Sequence, residues 1–248
     1  MQPRKYTSAY YRAHHAASRD SARVLLPRLA AITGAPASVV DVGCGDGAWL
    51  DVAGRALGVA RRVGVDGPWV QPLAGALTRF EARDLEAARL ELGGERFDWA
   101  LSLEVAADLP PERAGSFVAE LVALSDIVLF SSAPPGQPHE PHRNRAWPSA
   151  WAPRFAEHGY LLVDCIRPAV WDEPAVAPWY AQNCLLFVAA ARLEASEALR
   201  TAREQVRGMP LDVVHPRLAQ PAWDELPLER ALGAVREALR RLLQRSRR

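Results

Sequence analysis

The stretch Val39-Val40-Asp41-Val42-Gly43-Cys44-Gly45-Asp46-Gly47-Ala48-Trp49-Leu50 decides how the chain is read. An apolar run suited to a buried strand stops at an acid, three glycines follow at alternate positions, and an apolar pattern compatible with a helix resumes. That succession is the strand, tight turn and helix of a nucleotide-binding α/β unit. Glycine is needed in such a turn because a side chain would hold a ligand away from the backbone amides. Left-handed backbone angles are also open to it without strain.

Two ligand classes use a turn of this kind. Gly43 to Ala48 satisfies G-x-G-x-x-A, the pattern that cradles a dinucleotide pyrophosphate at a helix N-terminus. Asp41 at the strand end and Asp46 inside the turn argue for another ligand, since two carboxylates repel a pyrophosphate and attract a cation with an α-amino group and a sulfonium. S-adenosyl-L-methionine has that chemistry. The stretch resembles the first motif of the class I S-adenosylmethionine-dependent methyltransferases, D-x-G-x-G-x-G. The resemblance implies an α/β fold with a Rossmann-like, doubly wound, seven-stranded sheet, mostly parallel with strand seven antiparallel. It also implies S-adenosyl-L-methionine as cofactor, with Asp41, Gly43, Cys44 and Gly45 in its site.

A chain of 248 residues is long enough for one α/β domain with a helical tail. We divide it into an N-terminal helical cap over 1–37, a core over 38–191 and a C-terminal helical extension over 192–248. A net charge of +1 gives no field that draws the protein to nucleic acid or an anionic membrane. The N-terminus lacks the apolar core of a signal peptide and no later run is long enough to span a bilayer, so the sequence reads as cytoplasmic. Cys44, Cys165 and Cys184 are too widely spaced for a disulfide framework or a zinc site, and read as buried thiols.

In the N-terminal segment, polar Ser18-Arg19-Asp20-Ser21 leads into Ala22, Leu25, Leu26 and Leu29 at helical spacing. After the glycine turn, a helix is predicted over 47–57 with Gly58 as its cap, then a strand over 62–66. Asp66 ends that strand 25 positions (66 − 41) after Asp41, where a doubly wound fold places the carboxylate that accepts from both ribose hydroxyls; Gly67 follows it. The resembling family has an acid after its third strand for the adenine amino group and a backbone amide next to it. Asp84 and Leu85 match these places, with Glu81 as competitor.

A fourth strand over 97–103 ends in Leu103, assigned to the cofactor edge; Glu104 follows, near the expected cofactor or substrate edge, and reads equally as a helix-capping acid or a catalyst. Some members of the family bind a divalent metal through a Glu-His pair just beyond; here Ala107-Asp108 stand instead, which disfavours a metal-dependent mechanism. A helix opened by Pro110-Pro111 and a fifth strand over 126–132 continue the alternation, which implies a parallel sheet with helices on both faces.

The proline-rich run 133–148 follows a strand's carboxyl end, where α/β folds place ligands. It carries His142-x-Asn144-x-x-Trp147-Pro148. With Cys165-x-Arg167-Pro168-x-x-Trp171 and Trp179-Tyr180-x-Gln182-Asn183, it resembles a bacterial subfamily associated with glycan and secondary-metabolite genes. Methyl transfer to a hydroxyl needs a base, and His142 is the candidate, with His139 as its alternate. Asn144, Arg145, Trp147, Arg167, Trp179 and Tyr180 are candidates to line the pocket of a small-molecule or glycan acceptor. An NAD-dependent oxidoreductase and a catalytically silent cofactor-binding protein are the alternatives.

Strands six and seven are predicted over 160–166 and 184–189. Their proline-punctuated connection lacks an amphipathic helix, so strand seven returns antiparallel. A polar helix over 193–206 follows. Over 227–248 a basic amphipathic helix is suited to packing on the domain or on a second copy in a homodimer, and less to a membrane.

Overall fold

The computed structural model describes residues 8–87, 89–137 and 142–219. His139 and the helix predicted over 227–248 lie outside the described residues. The chain divides into two compact units, Met1–Val213, which carries the whole sheet, and Val214–Arg248, whose described residues 214–219 include the single helical turn Pro216–Ala219.

Seven strands form one sheet: β1 (Ser38–Val42), β2 (Arg61–Asp66), β3 (Arg79–Ala82), β4 (Trp99–Leu103), β5 (Ile127–Ser131), β6 (Tyr160–Val163) and β7 (Leu185–Ala189). Their order is β3-β2-β1-β4-β5-β7-β6. β7 runs antiparallel to both its neighbours, and every other pairing is parallel. The architecture is the Rossmann-like one expected from the sequence. Strand order reverses between β1 and β4, so the carboxyl ends of those two strands flank the crevice in which open α/β sheets take their ligands.

The apolar strands are continuous runs because both faces are covered. Val39, Leu101, Leu129 and Leu186 face one layer, where helix α1 (Ser8–Thr33) contributes Leu25, Leu26 and Leu29 and helix α2 (Ala48–Leu57) contributes Leu50 and Ala53. The alternate positions Val40, Ala100, Val128 and Phe187 face the other, against Phe117 and Leu121 of α3 (Ala114–Leu124) and Trp151 and Phe155 of α4 (Pro148–Ala156). Phe155 and Phe187 stack with ring centroids 3.7 Å apart. The three α1 leucines are fully buried, worth roughly 1.5–3 kcal/mol each, so the N-terminal helix is an integral layer of the unit.

Several boundaries differ from the sequence reading. Helix α1 begins at Ser8, which puts the polar run 18–21 inside it. Ser21 satisfies itself there by donating to the Ala17 carbonyl, and it also accepts the Ala177 amide. Strand β6 ends at Val163, and Ile166 starts a short helix, α5 (Ile166–Val170). A second, α6 (Pro178–Asn183), opens with proline at its first turn, so the connection to β7 is helical in two pieces. The helix predicted over 193–206 is interrupted. Ser196 separates α7 (Ala190–Glu194) from α8 (Glu197–Gln205), its side chain accepting the Leu199 amide as an N-cap.

Candidate active site

The glycine turn joins β1 to α2. Gly43, Gly45 and Gly47 all have positive φ, 83°, 53° and 84°. At Gly43 close approach adds to conformation, because a Cβ there would lie 2.2 Å from Val105 Cγ2. The turn is tied to β2. Gly43 N–H donates to the Val65 carbonyl at 2.7 Å, and Gly45 N–H donates to Asp66 Oδ2 at 2.8 Å. Asp66 Oδ1 accepts from Gly67 N–H at 2.7 Å. Cys44 packs beneath, and a Cβ on Gly64 of β2 would meet its Sγ at 2.7 Å. Burial pushes the Cys44 thiol pKa up, so it stays protonated.

Three carboxyl groups converge here. Asp41 is 2% exposed, and among the described residues nothing donates a hydrogen bond to it or forms an ion pair with it. Its pKa is pushed up to about 8 by burial first, then by Asp66 and Asp46. Burial also raises the Asp66 carboxyl, while the Gly45 and Gly67 amides pull the other way. Asp46 is better provided for. Its Oδ1 accepts the Ala48 amide at 3.2 Å at the start of α2, and its Oδ2 lies 2.7 Å from His15 Nδ1 on α1. A carboxyl raised by burial and by two acidic neighbours would be held ionised by a cation beside it. The residues present therefore fit S-adenosylmethionine.

Further along the same edge, Asp84 follows β3 and Leu85 is buried. Asp84 Oδ1 accepts the Glu86 amide at 3.0 Å. Glu81 lies within β3, paired with Arg79 at 3.1 Å and with Arg83 at 3.9 Å. Trp69, 37% exposed, lies against Gly67: a Cβ there would come within 2.3 Å of its ring. Leu103 ends β4, 8% exposed.

No protein-family model and no curated protein matches the chain in sequence. Solved structures match its fold. Magnesium protoporphyrin IX methyltransferase from Synechocystis PCC 6803 with bound SAM superposes with a TM-score of 0.50 at 18% identity, covering 76% of this chain and 86% of that one. The methyltransferase domain of bacterial CtHen1-C gives a TM-score of 0.51 at 17% identity over 69% and 98%. The fold is that of the S-adenosylmethionine-dependent methyltransferases. At this identity the likeness is one of fold.

The residues nominated for the acceptor are divided between two places: Ala146, within the segment that begins at His142, packs with the α3 and α4 layer, and Trp179 and Tyr180 pack with the α1 and α2 layer. The segment from His142 is strapped to the exit of β4: Arg143 and Asn144 amides donate to the Ala107 carbonyl at 2.8 and 2.9 Å, and Asn144 Nδ2 donates to the Ala106 carbonyl at 3.3 Å. His142 Nε2 stands 3.9 Å from Asp108 Oδ1, in an almost buried ring. Arg145, Trp147 and Trp179 are partly buried. Tyr180 is buried, its hydroxyl 3.0 Å from Ser18 Oγ of α1 and its ring edge-on to Trp49. Burial raises its pKa, so it is neutral.

Arg167 stands apart from the others. It is 2% exposed and pairs bidentately with Asp164, Nε to Oδ1 at 2.7 Å, while Nη1 donates to the carbonyls of Leu211 at 2.9 Å and Gln182 at 3.2 Å. It clamps the end of β6 to the end of α6 and to residue 211.

The sequence reading left Glu104 open between a catalyst and a helix-capping acid, and did not find the cluster it joins. Glu104, the first residue after β4, has φ 60°. Its Oε1 accepts from Asn183 Nδ2 at 3.0 Å and its Oε2 from Gln137 Nε2 at 2.9 Å. Asn183 Nδ2 also donates to Gln137 Oε1 at 2.8 Å, and Gln182 Nε2 donates to Asn183 Oδ1 at 2.9 Å. Glu104's place at a strand end is visible in sequence; its partners, 33 and 79 positions away, are not.

Proposed function

We propose that the protein is an S-adenosylmethionine-dependent methyltransferase that acts on a hydroxyl of a small-molecule or glycan acceptor. The observation that carries the reading is the uncompensated Asp41 carboxyl beside the glycine turn, with Asp46 and Asp66 next to it. Such a set suits an ammonium and a sulfonium, and opposes the pyrophosphate of a dinucleotide.

In this reading Asp41 and the turn at Gly43, Cys44 and Gly45 hold the amino-acid end of the cofactor. Asp66 has given two of about four acceptor positions to Gly45 and Gly67, and the remainder serve the ribose hydroxyls. Asp84 and Leu85 receive the adenine, in preference to Glu81 with its two arginines. Leu103 closes the β4 side. When bound, the cofactor supplies an electrophilic methyl group on sulfur. Transfer is then an in-line displacement, in which the protein's task is to position the nucleophile and accept its proton.

The acceptor lies against the segment 142–148, with Trp147 and Trp179 offering ring faces and Asn144 and Arg145 polar groups. Arg167 leaves this set, because its guanidinium is committed within the fold. The experiment is incubation with methyl-labelled S-adenosylmethionine and a panel of sugars and phenolic metabolites. A mass gain of one methyl group on a hydroxyl, with release of S-adenosylhomocysteine, is the expected result. Tight S-adenosylhomocysteine binding with no transfer to any member of a broad panel would favour the silent-binder alternative.

A further inference from the structure

The site leaves a choice of base. His142 is turned toward Asp108, and its neighbours Arg143 and Asn144 spend their amides on the Ala107 carbonyl. Glu104 is placed differently. It is the first residue beyond β4, which pairs with β1 at the reversal of strand order, and its neighbour Val105 packs over Gly43 of the cofactor turn. A single residue thus separates it from the glycine turn.

Its backbone is unusual as well. Among the described residues Glu104 is the only non-glycine residue with positive φ, a conformation that costs a side-chain-bearing residue about 1–2 kcal/mol. The strain is held in place. Glu104 N–H donates to both the Ser131 carbonyl at 3.0 Å and Ser131 Oγ at 2.9 Å, and its carboxyl is fixed by Gln137 and Asn183 from two further segments. Strained backbone kept by surrounding structure is a mark of functional positions.

The carboxyl chemistry agrees. Both carboxamides present N–H groups, so they favour the ionised carboxylate. Among the described residues no arginine, lysine or histidine pairs with Glu104, whose carboxyl is desolvated although the residue as a whole keeps partial exposure. Burial raises its pKa, and a base whose pKa is lifted toward neutrality is better matched to proton transfer.

We propose that Glu104 takes the acceptor's proton during methyl transfer, with Asn183 and Gln137 as the positioning residues that aim its carboxylate. This rests on the methyltransferase reading above. In the step, the acceptor oxygen's lone pair forms the new C–O bond to the methyl carbon. The C–S bond breaks with its electron pair left on sulfur, which becomes a neutral thioether. The acceptor's O–H proton passes to a Glu104 carboxylate oxygen, and the resulting carboxylic acid returns it to water after the product leaves.

A base in that role must face the methyl being transferred, which can be tested without knowing the acceptor. The probe is the cofactor analogue that carries a primary amine in place of the transferable methyl, compared with S-adenosylhomocysteine, whose neutral sulfur bears nothing there. In mildly alkaline buffer the parent is expected to bind the amine analogue about tenfold tighter or more, from a charge-assisted contact to Glu104. Glu104→Gln should bring the two affinities within about twofold while leaving that for S-adenosylhomocysteine nearly unchanged. His142→Ala should keep the preference.

Should Glu104→Gln not fold, Gln137→Leu serves instead. It removes one donor to the carboxylate, so the preference for the amine should fade at a higher pH than in the parent. An unaltered preference in Glu104→Gln, or an unmoved pH dependence in Gln137→Leu, overturns the assignment. Equal losses for both ligands in Glu104→Gln make the cluster a structural brace. If the parent bound neither ligand, the cofactor reading itself would fall.

Discussion

Replacing Asp41 with asparagine should raise stability and weaken cofactor binding at once. Its carboxyl pKa is pushed up to about 8 by burial, then by Asp66 and Asp46. Between about pH 4 and pH 8 the folded state therefore keeps a proton that the unfolded chain releases near ~3.9. Stability falls as pH rises through that window and levels off above it. The whole interval corresponds to roughly 5 kcal/mol. Asparagine cannot ionise and escapes this loss, although a buried amide without a partner costs about 1–3 kcal/mol.

At about pH 8.5 the variant should exceed the parent by about 2–4 kcal/mol, a rise in Tm of roughly 5–15 °C for a chain of this length. At about pH 5 the parent carboxyl is neutral too, and the variant should be less stable by about 1–3 kcal/mol. Affinity for S-adenosylhomocysteine should fall about tenfold or more, since the variant lacks the proposed anionic partner of its ammonium. Thermal melts at both pH values and calorimetry read these quantities. A Tm difference independent of pH, or undiminished affinity, would refute the reasoning.

Asp66→Ala should weaken S-adenosylhomocysteine binding by about 1.5–3 kcal/mol, roughly tenfold to a hundredfold, and an unchanged dissociation constant would reassign Asp66 to holding the Gly45 and Gly67 amides. Arg167→Ala breaks a buried ion pair and leaves Asp164 uncompensated, so urea unfolding should show a loss of about 3–5 kcal/mol; parental stability would mean that the clamp carries no weight. Because Ala107 and Asp108 stand where some members of the resembling family have a Glu-His pair, a chelator should leave the proposed methyl transfer unchanged, and recovery with magnesium after its loss would contradict that expectation.

Much of the sheet is legible in the sequence because β1, β4, β5 and β7 are apolar runs buried on both faces, as in Ile127-Val128-Leu129-Phe130. Strand β3 is short and only partly buried, so Arg79-Phe80-Glu81-Ala82 has little pattern of its own and is defined by pairing with β2. The early end of β6 is hidden because Ile166 continues the apolar texture while Arg167, three residues after Asp164, draws the backbone into a helix. The glycine turn and its acids are local and could be read directly. Arg167 looked like a pocket residue because its motif gives no sign of Asp164 and Leu211 as partners. The Glu104 cluster needs β4, the segment after β5 and α6 to meet, which no sequence spacing reveals.

Whether the acidic glycine turn receives S-adenosylmethionine is decided by calorimetric titration of the protein with S-adenosylhomocysteine and, separately, with NAD. Micromolar or tighter binding of the first and none of the second is expected; micromolar NAD binding with no heat from S-adenosylhomocysteine would refute the proposed cofactor site.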